Sequence, residues 1–239
     1  MKQPVPLIER PTGNRTLDAE SVTSATFVAR LPELRRWQAK RLARTYADLD
    51  TNPRFSKAVR FFMSDLYGAQ DFTERDRQLL RAARYLRRAL PRAALEVLER
   101  AIELQVLTAQ LDQAMVGALP IGPITSAGYG QAYRVVGNRA GRAQQIALIV
   151  AIGAALVQLI GRGRIGLLLR ACHLWAHAAG FGVLQDFLER GYAAFRDIRG
   201  ADPLLEAIMA RETQLMQSLF AGDDSLLDQA PMPLGVFNE

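Results

Sequence analysis

From Leu31 to Ala221 apolar residues recur three and four positions apart, and no stretch alternates apolar with polar as a half-buried strand does. The pattern predicts helices over 31–49, 54–67, 73–90, 92–118, 125–136, 141–160, 164–179, 182–198 and 203–221. Several boundaries have a local cause. Thr73 can cap the third helix, with Asp76 three residues on. Pro91 separates the third helix from the fourth, because proline cannot continue a helical hydrogen-bond ladder. Gly137-Asn138 reads as a stop, and Asp202-Pro203 as a cap followed by the residue best suited to the first turn. Residues 1–30, polar with early prolines, read as a flexible arm. Residues 222–239, with two prolines and no helical period, read as an extended tail able to dock on the body or on a partner. The longest internal linker, "LPIGPI" at 119–124, is too short to separate domains. The expected fold is therefore all-α: one domain over 31–221, an irregular bundle of eight or nine helices.

One predicted helix differs from the rest. Residues 146–157, "IALIVAIGAALV", are apolar on every side. A bilayer span needs roughly 20 such residues. This run stops at Gln158 and is followed by Arg162 and Arg164. The expectation is a central core helix over 141–160 and no transmembrane span, with lipid contact at 146–160 as the alternative.

Charge adds a possible partner. The formal charge is +6, and residues 1–100 carry 20 Lys/Arg against 12 Asp/Glu. An acidic partner should therefore meet the N-terminal half. On the third helix Arg77, Arg81, Arg84 and Arg88 fall within about 60° of each other, opposite Leu79, Ala82, Leu86 and Leu90. On the first helix Arg36, Lys40, Arg41 and Arg44 surround Trp37, with Arg41 one turn from the indole and placed for a cation–π contact. Such a face suits an acidic protein, an anionic lipid surface or nucleic acid. No helix-turn-helix, RNA-binding or zinc-finger spacing favours the last. The bias has a bland reading as well: only three of the 30 basic residues are lysine, as a GC-rich genome would produce without selection for binding. A single cysteine cannot make an intrachain disulfide, and the N-terminal stretch does not read as a secretory signal. Together these point to a cytoplasmic protein, peripheral to a membrane at most.

Candidate chemistry is sparse. Gln105 and Asp112 fall in the apolar face of the helix at 92–118, and Glu212 falls inside the apolar stripe of the last helix. Buried acids must be paired, hydrogen-bonded or protonated. They either tie helices together through arginine or serve as an acid/base pair. His173 and His177, the only histidines, share one helix stripe with Arg170, while Cys172 points about 100° away. That spacing suits a metal or haem, but no third ligand is evident. HExxH and the ExxH pair of di-iron bundles are both absent. The expectation is a solvated or partner-facing stripe. The glycines of "GYG" (128–130) and "GRGRIG" (161–166) lack the strand-then-helix setting and the lysine of a phosphate loop.

The stretches "FFMSDLYGAQDFTERD" (61–76) and "LQDFLERGYAAFRDIRGAD" (184–202) resemble an uncharacterised all-helical family of proteobacterial proteins. That resemblance implies a helical fold and assigns no catalytic residue and no cofactor. The functional expectation is a non-enzymatic interaction or regulatory protein with an arginine-rich N-terminal face. The alternative is an enzyme or a metal- or haem-binding bundle built on Asp112 and Glu212 or on His173 and His177.

Overall fold

The structure is a computed structural model that describes residues 15–66, 74–75, 77–79, 81–82, 91–161, 164–198 and 202–229, with side chains described from Arg30 onward except at Leu66 and Arg164. It is all-α, with no strand among the described residues. The helices are α1 (Arg15–Thr45), α2 (Ala47–Thr51), α3 (Ser56–Phe61), α4 (Arg92–Ala118), α5 (Ser126–Val136), α6 (Arg139–Gly161), α7 (Arg164–Ala178), α8 (Gly182–Phe195) and α9 (Asp202–Ala221). A π-helical turn, Phe62–Leu66, continues α3, and a 3₁₀ turn, Ser225–Leu227, follows α9. The described pieces of 74–82 are helical as well.

The ends agree with the local chemistry. Pro91 caps α4, and the Thr125 hydroxyl caps α5 by accepting from the Gly128 amide. Gly137 ends α5 in the left-handed region at φ 65°, and the Asn138 side chain then accepts from the Gly141 amide to start α6. Two expectations fail at the N-terminal end. α1 begins at Arg15, inside the stretch read as an arm, and runs through Pro32 although the proline forfeits one rung of the ladder. The helix expected over 31–49 is divided at Tyr46, whose ring is drawn into the core and whose hydroxyl reaches α9. Thr73, Arg84 and Arg88 lie outside the described residues.

α6 is the central element. It packs against α4 and α9 along its length and touches α7 and α8 near its end. Gly153 permits the approach to α9, since a Cβ there would lie 2.6 Å from Leu205 Cδ2. Two apolar clusters form the core. One joins α1, α2 and α3 to α8 and α9 through Leu42, Leu49, Phe55, Phe61, Phe195 and Ile208. The other joins α1, α4, α5 and α9 through Leu34, Met115, Tyr129, Leu215 and Leu219. The residues after α9 dock on this body. Leu227 is buried, Arg134 grips Asp224 with two hydrogen bonds at 2.7 and 3.3 Å, and Ser126 donates to Asp228 at 2.7 Å.

The centrality of α6 does not bury it. Only 17% of its most apolar window is buried, and it is long and apolar enough to cross a membrane, with a mean hydropathy of 2.0. The inward positions at its N-terminal end are partly polar: Arg142 and Gln145 are buried beside Gly141 and Ile146, whereas Ala147 is exposed.

Candidate functional site

Between the two apolar clusters lies a layer of buried charge. Glu212 of α9 accepts from Arg41 of α1 at 2.5 Å and from the Tyr46 hydroxyl at 2.9 Å. Burial works against the charge of Arg41, but Glu212 more than offsets it and holds the guanidinium protonated. Burial, then the neighbouring Glu212 charge, pushes the Tyr46 hydroxyl well above its ordinary value. Asp112 of α4 accepts from Gln38 at 3.2 Å and pairs with Arg35 at 3.5 Å. Burial raises its carboxyl above the usual range despite those partners. A third pair, Arg211 to Asp48, is bidentate at 2.7 and 2.8 Å. Arg142 of α6 donates to Gln145 at 3.1 Å and lies 4.8 Å over the Tyr133 ring.

A cavity of about 50 Å³ is lined by Asp112, Glu212, Arg41, Arg142, Tyr129 and Gln145, among others. Its volume admits a few water molecules. Both acids face it, yet each is tied to an arginine, with the Tyr46 hydroxyl also donating to Glu212 and the Gln38 amide to Asp112. The layer therefore joins α1, α4, α6 and α9.

The N-terminal basic face is reduced by the same contacts. Arg41 is buried and spent on Glu212. Trp37 stacks on Tyr129 at 4.3 Å between ring centroids and packs against the second apolar cluster, so the expected Trp37–Arg41 contact gives way to aromatic packing. Arg36, Lys40 and Arg44 remain exposed, with Arg44 donating to the Leu227 carbonyl. Arg77 pairs with Glu74, and Arg81 lies 5.2 Å over the Phe181 ring. Gln105, expected in the core, is exposed: the inward face of α4 is set by Ala94, Leu111, Asp112 and Met115.

The largest departure is α7. Its sequence is amphipathic as expected, but the orientation is reversed. Leu167, Leu168, Ala171, Leu174, Trp175 and Ala178 share an arc of about 120°, and every one of them is exposed. Leu174 and Trp175 each keep 79% of their surface in solvent. The inward side is made of Ile165, Gly166, Leu169, His173 and Ala176. Gly166 is required there, because a Cβ would meet the Tyr192 hydroxyl at 2.4 Å. The histidine stripe turns toward α8: His173 Nδ1 lies 2.9 Å from Glu189 Oε1, and His177 Nε2 lies 2.9 Å from Asp186 Oδ1. The two imidazoles are 4.6 Å apart. Hydrogen bonds from Gln185 and from His173 hold the Glu189 carboxyl below its usual range.

A charge signal for this face was present in the sequence. No acidic residue occurs between Asp112 and Asp186, an interval that holds six arginines. Over residues 101–239 as a whole, acids on either side of this interval cancel the excess.

The fold and these sites define an all-helical, single-domain protein with an ion-paired interior and an apolar outer helix. The chain belongs to the family described as a domain of unknown function, DUF8198, whose model matches residues 18–226. No curated protein and no solved structure matches it significantly.

Proposed function

We propose that the protein is a non-enzymatic docking module that binds an anionic lipid surface through α7, at the cytoplasmic face of a bacterial membrane. The observation that carries this reading is the exposed Leu167–Leu168–Leu174–Trp175 stripe on a helix without a single acid. Contiguous exposed apolar surface marks an interaction site. Leucines to enter the acyl boundary, a tryptophan suited to the headgroup level and flanking arginines are the parts of an interfacial helix. Arg162 and Arg164 precede this stripe in the sequence and Arg170 lies within its span. Near an anionic surface each contributes roughly 1 kcal/mol.

Charge separates lipid from the other occupants. A second copy docking symmetrically would bring the same arginines together with no acid in the helix to offset them. Nucleic acid would be met by phosphate contacts and would leave the leucines in water. The exposed Arg36, Lys40 and Arg44 remain available for longer-range attraction. Sedimentation with vesicles tests the reading. The full chain is expected to pellet with phosphatidylserine-containing vesicles and to stay in solution with pure phosphatidylcholine, and salt should weaken the binding. A Leu174→Ser/Trp175→Ser variant with unchanged helicity should stay in the supernatant. Equal pelleting of that variant and wild type would overturn the assignment to α7.

A further inference from the structure

We infer that His173, His177 and Asp186 form a binding site for one divalent transition-metal ion, with Glu189 as the outer partner of His173. The inference is independent of lipid docking. One ligand atom from each of the three residues lies within 4.8 Å of the other two. His177 Nε2 and Asp186 Oδ1, 2.9 Å apart, already sit near the separation of two neighbouring ligands on one ion, given bonds of about 2.0–2.2 Å. Histidines four apart on a helix present both rings on one face, and here the rings stand 4.6 Å apart.

The surroundings match those of a metal site. Glu189 accepts from His173 Nδ1, which leaves Nε2 of that ring for the cation. A metal-bound histidine commonly gives its other ring nitrogen to a carboxylate in this way, which fixes the tautomer. Glu189 is itself fixed by Gln185, whose amide donates to it at 2.8 Å and to the Leu169 carbonyl at 2.7 Å. Gly182, at the start of α8, lets the His177 ring approach, since a Cβ there would lie 2.7 Å from its Nδ1. The nearest cation on the same stripe, Arg170, is one turn away and donates back to the Gly166 carbonyl. With both imidazoles neutral the group carries two negative charges, which a dication balances. The side chains of His173, His177 and Asp186 are 41–46% exposed, so solvent can supply the remaining ligands. Two imidazoles and one carboxylate suit zinc, cobalt, nickel or copper and do not suit magnesium or calcium.

The rival account makes the same four residues two histidine–carboxylate pairs that pin α7 to α8. Zinc titration of the full chain against a chromophoric chelator separates the two. It is done in a Cys172→Ser background, because the free thiol is exposed. The site predicts one equivalent of zinc. His177→Gln and Asp186→Asn should each weaken binding by more than about tenfold, and Glu189→Gln by about tenfold, as an outer partner does. Cobalt should give absorption bands of an ordered nitrogen–oxygen site in the parent and lose them in His177→Gln. Failure to bind a stoichiometric equivalent would overturn the site. So would full binding and unchanged cobalt bands in His177→Gln, whatever the vesicle experiments give.

Discussion

Removing Glu212 should be the most damaging single change in the polar layer. The Arg41 side chain is 10% exposed and that of Glu212 is 14% exposed, so neither can turn to water when its partner is lost. Glu212→Ala strands the Arg41 guanidinium and deprives the Tyr46 hydroxyl of its acceptor. Breaking a buried ion pair from one side costs roughly 3–5 kcal/mol, or about 6–20 °C in melting temperature for a domain of this size. Asp112→Ala should cost less, roughly 1–3 kcal/mol, although Asp112 is the more buried acid. Its cationic partner Arg35 keeps 34% of its side chain exposed and can be rehydrated. The decisive measurement is a denaturant series on wild type, Glu212→Ala, Arg41→Met and the pair Arg41→Met/Glu212→Leu. The pair should recover most of the loss, since a well-packed apolar replacement removes both charges together. A Glu212→Ala variant within about 1 kcal/mol of wild type would show that Arg41 finds another partner or water, and would refute the ledger of that layer.

Other outcomes follow from the same geometry. The two acids Asp112 and Asp48 should act on stability with opposite pH slopes. The Asp112 carboxyl is raised above 3.8, chiefly by burial, so its contribution is fullest at low pH and is lost as pH rises through its folded value. Asp112→Asn should therefore match or exceed wild type in melting temperature at neutral pH. For Asp48 the pull of Arg211 overcomes burial and lowers the carboxyl below 3.8. Its contribution is present above that value and lost as pH falls through the folded one, so the cost of Asp48→Asn should shrink on acidification. Melts across the acidic range check both, and parallel slopes for the two variants would contradict the assignment. Gly130→Ala places a Cβ 2.0 Å from Asp224 Oδ1. It should destabilise by about 1–3 kcal/mol and raise amide exchange in residues 222–229, a result that unchanged protection there would exclude.

Much of the helical plan was readable from the chain. The apolar period and the Pro91 break placed α4 at the observed residues, and Gly137-Asn138 marked the α5–α6 junction. Asp112 and Glu212 stood out as acids in apolar stripes, and both face the interior. Gln105 carried the same signal without the same burial, since a helix wheel does not say how wide the buried arc is. The missing information concerned partners. Trp37 read as part of a basic face because Tyr129, the ring it stacks on, is 92 positions away in the sequence. The α7 wheel separated apolar from polar residues correctly, but a wheel has no direction. Only the carboxylates of α8 show that the histidine side turns inward and the leucine side outward. Asp186, 2.9 Å from His177, could not be placed beside the two histidines from the sequence because it lies on the next helix.

Trp175 offers the most direct test of membrane docking. The chain has two tryptophans; Trp37 is partly buried, stacked on Tyr129 against the core, while Trp175 is exposed. In a Trp37→Phe background, emission therefore reports α7 alone. Docking predicts a blue shift on adding anionic vesicles and strong quenching by lipids brominated near the headgroup end of the chains. Emission that stays red-shifted and unquenched while the protein sediments with the vesicles would mean that another face makes the contact, and would contradict the account.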